Sequence, residues 1–367
     1  MKYYSLTNIL KKKARYNIVF GERSNGKTYS VLEYGVKEYF KSGKQIAVIR
    51  RWREDFKGKR GAAYFDNLVC NGEEVNKVKE LSGGKYDHVT YLSGKWYFAY
   101  FDEELEKYVN SPEPFAYAFA LTEMEHEKGN SYPLVQTVLF DEFMSRGMYV
   151  PDEFVLFMNT LSTIIRHRDN VTVFMCANTV DMIGCPYFKE MGLKHVKEMQ
   201  KGDIDVYEYG TSGLRVAVEY SDSPNKDGKP SDVYFAFDNQ KLKMITSGAF
   251  ELDIYPHIQD RIEKKDIIFS YFIQYDEQLL QADIVQRDGE AFTFVHPKTT
   301  PIKYEDQDIV FTAESNTRVN YCGKLAKPIN KAVRKLYWFY VANKVFYSDN
   351  EVGEIVARYL FWCNNSK

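Results

Sequence analysis

The chain has 367 residues, of which 44% are hydrophobic and 16% aromatic, and its formal net charge is −2. This length predicts two domains, and the hydrophobic content can bury a core in each, which excludes a disordered chain. A charge so close to zero excludes a bulk attraction to nucleic acid, so any such contact must come from local basic patches.

The cysteines and the amino-terminal segment bear on the compartment. Five cysteines are scattered without a C-x-x-C spacing, which predicts a reducing compartment and argues against zinc. The first apolar stretch is too short for a secretory signal, and no window approaches the roughly 18 apolar residues of a membrane span. We therefore expect a soluble, cytoplasmic protein without a membrane partner.

The segment GERSNGKT, which begins at Gly21, follows a short apolar run and precedes a helical pattern. It matches G-x-x-x-x-G-K-[ST], the loop whose backbone N–H groups surround phosphate oxygens. Gly21 and Gly26 permit close backbone approach, Lys27 neutralises phosphate charge, and Thr28 offers a hydroxyl to Mg²⁺. The pattern thus predicts an ATP and Mg²⁺ site at a helix N-terminus, to which we also assign Arg23.

A second motif, TVLFDEF, has the form of a Walker B strand. Its apolar residues predict a buried strand that ends in Asp141, which would hold Mg²⁺. Glu142 follows and would act as the general base for the attacking water. The alternative is a solvated acidic pair after a core strand.

Two further apolar runs, residues 45–52 and 170–179, predict strands of the same sheet. In doubly wound sheets ligands lie beyond the carboxyl ends of the strands, which places Asn178 beside the nucleotide, where its amide can sense the γ-phosphate. The alternative for Asn178 is a turn residue that caps the strand.

Residues 151–170 predict an amphipathic helix that ends in Arg166-His167-Arg168. Arginines at a helix C-terminus commonly complement the helix dipole on a solvated face. In a ring-forming ATPase, however, an arginine at this edge could reach the γ-phosphate of a neighbouring subunit as an arginine finger.

The segments GERSNGKT, EKGNSYPLVQTVLFDEF, IIRHRD, CANT and CPYF occur in this order. In this respect the chain resembles the DNA packaging motor ATPases of phi29-like bacteriophages. These are related to large terminase subunits and belong to the additional-strand, catalytic-glutamate class of P-loop ATPases. The resemblance is clearest over roughly the first 190 residues.

The resemblance implies the same roles for the phosphate loop and the Walker B residues, and adds others. It implies that Arg166 and Lys128 act in trans on the nucleotide of the adjacent subunit. It further implies a homo-oligomeric ring, pentameric in the phi29 type, that drives double-stranded DNA into an empty shell. Such a ring works in the host cytoplasm, transiently at the portal vertex, and docks on the portal or on a packaging RNA.

The segment RRWREDFKGKRG, residues 50–61, is basic and broken by glycines, which predicts a loop beyond the end of a strand. Flexible cations suffice to contact phosphates of DNA, and the alternative is a solvated loop. We assign five of its residues to DNA binding: Arg50, Arg53, Lys57, Lys59 and Arg60.

The composition changes after about residue 215, which predicts a P-loop ATPase domain over residues 1–220 and a linker over 221–250. By resemblance to large terminases, residues 251–367 would form a smaller, α+β, RNase H-like domain. Its predicted first strand, Ile267–Tyr275, lacks carboxylates at its centre, and a two-metal nuclease needs them. We therefore expect no nuclease activity. A basic helix of this domain carries Lys331 and Lys335, which we assign to DNA binding; the alternative is a solvated helix face.

Three functions remain open from the residues alone. The first is an ATP-driven translocase of double-stranded DNA, and the second is a nucleotide-dependent switch or scaffold that hardly hydrolyses ATP. Glu142 discriminates them, because a switch needs no general base. The third is a helicase acting on single strands, for which Trp52 could stack on bases.

Overall fold

The computed structural model describes residues 4–23, 25–70, 75–127, 129–145, 149–179, 185–210, 212–222, 255–258, 261–287, 289–328 and 333–366. The chain divides into two compact units, Met1–Glu251 and Leu252–Lys367. Two residues assigned to function, Lys128 and Lys331, lie outside the described ranges, as does the predicted linker from residue 223 onward.

The first unit contains a ten-stranded mixed sheet. Its strands are β1 Tyr16–Gly21, β2 Gln45–Arg50, β3 His88–Leu92, β4 Lys95–Asp102, β5 Lys107–Asn110, β6 Ala116–Ala120, β7 Val135–Asp141, β8 Thr172–Asn178, β9 Ile204–Tyr209 and β10 Leu214–Ser221. The α-helices are α1 Thr7–Leu10, α2 Lys27–Ser42, α3 Lys59–Ala62, α4 Asp66–Val69, α5 Lys77–Leu81, α6 Glu153–Ile165 and α7 Pro186–Glu190. Short 3₁₀ helices span Arg53–Phe56, Ala63–Phe65, Leu121–Glu127 and Lys194–Glu198.

The strand order is β3-β4-β6-β2-β7-β8-β1-β10-β9, with β5 paired to β4. Every neighbouring pair in the run β6-β2-β7-β8-β1-β10 is parallel. The pairs that flank this run, β4 with β6 and β10 with β9, are antiparallel. This confirms the predicted α/β fold with a mostly parallel sheet. The strands β1, β2, β7 and β8 are the four that the sequence predicts.

The central strands are apolar on both faces because helices cover both. In β1, Ile18 and Phe20 join the cluster that contains Phe157 of α6. Val19, between them, joins the cluster on the opposite face, which contains Val31 of α2. Because parallel strands end at one edge, this packing brings the ends of β1, β2, β7 and β8 to the same side of the sheet.

The segment after β2 differs from its prediction. It is not a loop: a 3₁₀ helix spans Arg53–Phe56 and α3 spans Lys59–Ala62. The indole N–H of Trp96 donates to the carbonyl of Gly61 at 2.8 Å. A Cβ at Gly61 would lie 2.5 Å from the carbonyl of Phe56 and from the ring of Tyr91. Gly61 therefore permits close packing, which the sequence pattern could not show.

The second unit contains a six-stranded sheet in the order β15-β14-β11-β12-β13-β16. Its strands are β11 Ile267–Tyr275, β12 Gln278–Arg287, β13 Glu290–Pro297, β14 Val310–Thr312, β15 Tyr321–Cys322 and β16 Val345–Tyr347, and its helices are the 3₁₀ helix Lys264–Asp266, α8 Arg334–Val341 and α9 Asn350–Asn365. β11, β12 and β13 form antiparallel hairpins, whereas β14 pairs parallel to β11. The core of this unit includes Tyr271 of β11 together with Val356 and Tyr359 of α9.

Candidate nucleotide site at the strand ends

The phosphate loop joins β1 to α2, and its two glycines are required for different reasons. A Cβ at Gly21 would lie 2.1 Å from Oγ of Ser221 on the neighbouring β10. Gly26, at the start of α2, has φ of 91°, in the left-handed region that favours glycine. Helix α2 begins directly at the loop, and the N–H groups of its first turn point toward the position where an anion can bind.

Lys27 lies buried under this loop. Its ammonium donates to the carbonyl of Glu22 at 2.6 Å, to Oδ1 of Asn25 at 3.0 Å and to the carbonyl of Gly21 at 3.3 Å. Burial lowers the pKa of Lys27 to about 8, although Cys176 and Asp141 oppose this shift. Oxygens of the loop thus compensate the buried charge of Lys27. When a nucleotide binds, its phosphate oxygens would have to replace these acceptors.

A hydrogen bond joins the first turn of α2 to the end of β7. The Thr28 hydroxyl donates to Oδ1 of Asp141 at 2.7 Å. A hydroxyl and a carboxylate side by side at a helix N-terminus are the hard oxygen ligands that Mg²⁺ prefers. The residues present therefore fit a magnesium ion, and these two side chains would hold it.

Arg50, at the end of β2, pairs with both acidic residues of the Walker B motif. Its guanidinium lies 3.1 Å from Oδ2 of Asp141 and 2.8 Å from Oε2 of Glu142, and its Nε lies 3.2 Å from Oδ2 of Asp55. Burial lowers the pKa of Arg50, but these carboxylates and Tyr64 outweigh it, so the net shift is upward. The sequence assigns Arg50 to DNA; its observed contacts place it instead among the carboxylates of the candidate site.

Tyr64 is a second side chain at this site that the sequence does not reveal. Its hydroxyl donates to Oδ2 of Asp141 at 2.7 Å. Burial, with the Asp141 charge, holds the pKa of Tyr64 well above its usual range, so it is a neutral donor. No motif points to Tyr64. Arg50 could have been recognised, because it ends the strand next to β7.

A buried ion pair fixes the backbone around Glu142. Arg51 lies 2.7 Å from Glu153, and it donates to the carbonyl of Phe143 at 2.8 Å and of Glu142 at 3.3 Å. The Tyr187 hydroxyl also donates to Glu153, at 2.7 Å. Glu142 itself has φ of 55° and a side chain 55% exposed. A non-glycine residue in this conformation persists only where its surroundings fix it.

Of the other predicted site residues, Asn178 and Arg23 lie at this edge, whereas Arg166, at the C-terminal end of α6, lies near the segments that enter β7 and β8 on the opposite edge of the sheet. Asn178 ends β8 in register with Gly21, and the next N–H, of Thr179, donates to the Gly21 carbonyl at 2.9 Å. Arg23 is exposed in the loop. Arg166 caps α6 with φ of 43° and donates to the carbonyl of Asn130. Within the described ranges no contact joins Arg166 to the loop.

The other residues predicted to contact DNA are mostly exposed, and three of them have protein partners. Arg53 pairs with Glu123 at 2.6 Å, and Lys57 with Glu54 at 2.8 Å. Arg60 donates to the Glu54 carbonyl at 3.2 Å. Two more, Lys59 on α3 and Lys335 on α8, are exposed. Their contact with DNA stays a prediction.

The described ranges contain no group of three or more His, Cys, Asp or Glu side chains that could hold a metal ion. In the same ranges no helix combines the length and apolarity that a membrane crossing requires.

The glycine loop between β1 and α2, with an acidic strand end beside it, defines the class: an α/β protein of the P-loop type. Within this class, residues 1–99 and 100–320 match the family model of the podovirus DNA encapsidation protein (Gp16). The chain belongs to this family.

Individual relatives agree with this assignment. The chain is 28% identical over 213 residues to a DNA packaging protein of Bacillus phage B103, covering 57% of each chain. It is 26% identical over 227 residues to the DNA packaging protein of Bacillus phage phi29, covering 61% of this chain and 59% of that protein. The chain thus spans less than three fifths of the length of either relative.

Solved structures extend the similarity at the level of the fold. A chain of the bacteriophage phi29 viral genome packaging motor assembly matches with a TM-score of 0.59 at 20% identity, covering 98% of both chains. A chain of the phi28 gp11 DNA packaging motor matches with a TM-score of 0.52 at 18% identity, covering 100% of this chain and 98% of that one.

Proposed function

We propose that this protein is the ATPase of a viral DNA packaging motor, which hydrolyses ATP to drive double-stranded DNA into a preformed capsid. The hydrogen bond between Thr28 and Asp141 carries the proposal, because it joins the phosphate loop to the Walker B strand, with Glu142 next in sequence. Membership of the DNA encapsidation family supports the biological role.

The phosphate loop binds the nucleotide. Lys27 exchanges its loop oxygens for phosphate oxygens, and the N–H groups at the start of α2 bind the same phosphates. Thr28 and Asp141 hold Mg²⁺, which neutralises charge on the transferred phosphoryl group. Asn178, at the end of β8, lies on the side of the sheet where it can sense the γ-phosphate.

Glu142 positions and deprotonates the attacking water. Its exposed carboxylate accepts from Arg50 at 2.8 Å, and the same guanidinium donates to Asp141. Mg²⁺ at Asp141 would compete with Arg50 for that carboxylate, since both are cations. We infer that Arg50 shifts toward Glu142 or away from both when the metal nucleotide binds, which links metal binding to the general base.

Arg166 and Lys128 complete the site of a neighbouring subunit in a homo-oligomeric ring, a pentamer by resemblance. A cation in trans stabilises transition-state charge only when subunits align, so hydrolysis becomes conditional on the neighbour. The position of Arg166 at the exposed end of α6 supports this role. The ring would act at the portal vertex of the procapsid, docked on the portal or on a packaging RNA.

DNA contacts come from the segment that follows β2. Lys57, Lys59 and Arg60 are exposed there, and phosphate contacts need only accessible cations. Trp52 is 46% exposed and would serve the alternative, a helicase that stacks single-stranded bases. Stimulation of hydrolysis by single strands alone would favour that alternative.

The second unit is an RNase H-like domain without nuclease activity. Three antiparallel strands, with a parallel strand added beside the first, support this fold assignment. Asp283 is buried on β12, and its carboxylate accepts from Ser270, Gln281 and His296 at 2.6, 2.8 and 3.1 Å. The exposed Lys335, with Lys331, would face nucleic acid.

The test is ATP hydrolysis by purified protein with and without double-stranded DNA, beside Glu142→Gln and Arg166→Ala. We expect DNA-stimulated turnover in the wild type and its loss in both variants with ATP binding retained. If only Glu142→Gln is inactive, the inter-subunit mechanism fails. If wild-type protein binds ATP and never turns over on any DNA, a nucleotide-dependent switch replaces the motor.

A further inference from the structure

Tyr64 connects Asp141 to residues 56–65, a packed segment that is remote from Asp141 in sequence. The tyrosine lies on the 3₁₀ helix Ala63–Phe65, directly after α3, and its hydroxyl reaches Oδ2 of Asp141 at 2.7 Å. Its ring contacts those of Phe56, Phe65 and Trp96, with centroids 6.2, 5.9 and 5.7 Å away. One end of the side chain is thus held by a strand carboxylate and the other by aromatic packing.

The segment around Tyr64 is closely packed. Trp96 is fully buried and donates to the carbonyl of Gly61, and Gly61 has no room for a Cβ against Phe56 and Tyr91. Close-packed interiors transmit displacements because their atoms have no free volume to absorb them. A shift of Tyr64 must therefore displace α3, which carries Lys59 and Arg60.

Asp141 is the point at which this segment meets the metal site. Its Oδ1 accepts from Thr28, while its Oδ2 accepts from Arg50 and Tyr64. An Mg²⁺ ion bound to this carboxylate would compete with these donors for the lone pairs of the carboxylate oxygens. Of the two donors on Oδ2, only Tyr64 belongs to the packed segment.

We propose that Tyr64 is a positioning residue that transmits the state of the metal site at Asp141 to the packed segment of residues 56–65. This inference deepens the proposed function, on which it rests, by naming the link between the nucleotide and the cations assigned to DNA. Because coupling between two sites is reciprocal, a ligand on the cations of α3 changes the affinity for Mg²⁺ through the same hydroxyl.

The test uses the full chain with Tyr64→Phe, which removes the hydroxyl and keeps the ring. Tyr255→Phe is the matched control, because it also removes a tyrosine hydroxyl that donates to a carboxylate, that of Glu354 at 2.9 Å in the second unit. Amide hydrogen exchange is measured over residues 56–65, with and without Mg²⁺ and a non-hydrolysable ATP analogue. We expect an exchange change in the wild type and Tyr255→Phe, and its loss in Tyr64→Phe with nucleotide still bound.

A second readout is the affinity for Mg²⁺ in the presence of the analogue, with and without double-stranded DNA. DNA should shift this affinity by at least about fivefold in the wild type and not in Tyr64→Phe. Equal exchange changes in wild type and Tyr64→Phe would overturn the link while leaving the ATPase proposal intact. A wild type that binds no magnesium nucleotide would overturn both.

Discussion

Asp141 in the first unit and Asp283 in the second are both buried carboxylates on sheet strands, and each accepts three side-chain donors. The donors to Asp141 come from a glycine loop, Arg50 and Tyr64, and a second carboxylate, Glu142, follows it. The donors to Asp283 are Ser270, Gln281 and His296, all from its own sheet.

The surroundings of a buried carboxylate decide whether it can hold a metal ion. Asp141 stands at a strand end beside a helix N-terminus, where an anion and a metal can both be held. Asp283 lies within β12, where its neighbours satisfy it. We therefore interpret Asp141 as the metal ligand and Asp283 as a structural group.

The largest expected effect is on hydrolysis by Glu142→Gln. Loss of a general base typically lowers the rate about 10²- to 10⁴-fold, whereas phosphate binding by the loop is unchanged. Turnover and binding of a fluorescent ATP analogue measure the two separately, with Asp283→Asn as the control that keeps wild-type turnover. Normal hydrolysis by Glu142→Gln would remove the distinction between the two carboxylate sites.

Arg51→Ala should be the most destabilising change near the site. It leaves the Glu153 carboxylate buried without its cation, which typically costs about 3–5 kcal/mol. Chemical denaturation measures the free energy of unfolding. Arg53→Ala, which breaks an exposed pair, is the control and should cost less than about 1 kcal/mol.

Asp283→Asn should have a smaller effect on the free energy of unfolding. Asparagine keeps an oxygen toward Ser270 and Gln281, but its amide N–H group replaces the oxygen that accepts from His296, so this charge-assisted hydrogen bond is lost at a cost of about 1–3 kcal/mol. Thermal unfolding of the full chain measures it. A metal-dependent rise in melting temperature that this variant abolishes would show that Asp283 binds a metal after all.

The smallest expected effect is the pH dependence of the Asp283–His296 pair. Burial raises the pKa of Asp283, but hydrogen bonds from His296, Gln281 and Ser270 outweigh it and lower the pKa overall. The Asp283 hydrogen bond raises the pKa of His296. The Asp283 contribution is lost as pH falls through its folded pKa, and that of His296 as pH rises through its own.

The pair therefore stabilises most between about pH 4 and pH 6.5, the ordinary pKa values of the two groups. Unfolding of the wild type and of His296→Gln across this range checks the sign. A difference in stability between them that grows above pH 8 would contradict the assignment.

The sequence predicts the parts of the site that are local and leaves out the parts that depend on long-range contacts. The glycine loop, Asp141 and the strands β1, β2, β7 and β8 are readable because each is a short motif in a periodic context. Tyr64 and the Arg51–Glu153 pair join positions 77 and 102 residues apart, which no local pattern specifies.

The segment after β2 shows the same limit. Its glycines and charges predict a loop, but packing of Gly61 under Trp96 and Tyr91 forms helical turns instead. The sequence assigns Arg50 to DNA for the same reason: its charge is visible in the sequence, while its pairing with Asp141 at the end of β7 is not.

The most direct test of the central claim is calorimetric titration of a non-hydrolysable ATP analogue, with and without Mg²⁺, into wild type, Asp141→Asn and Asp283→Asn. We expect Mg²⁺ to tighten nucleotide binding in the wild type and in Asp283→Asn, and this tightening to be lost in Asp141→Asn. Retention of the full magnesium effect by Asp141→Asn, or its loss in Asp283→Asn, would contradict the account.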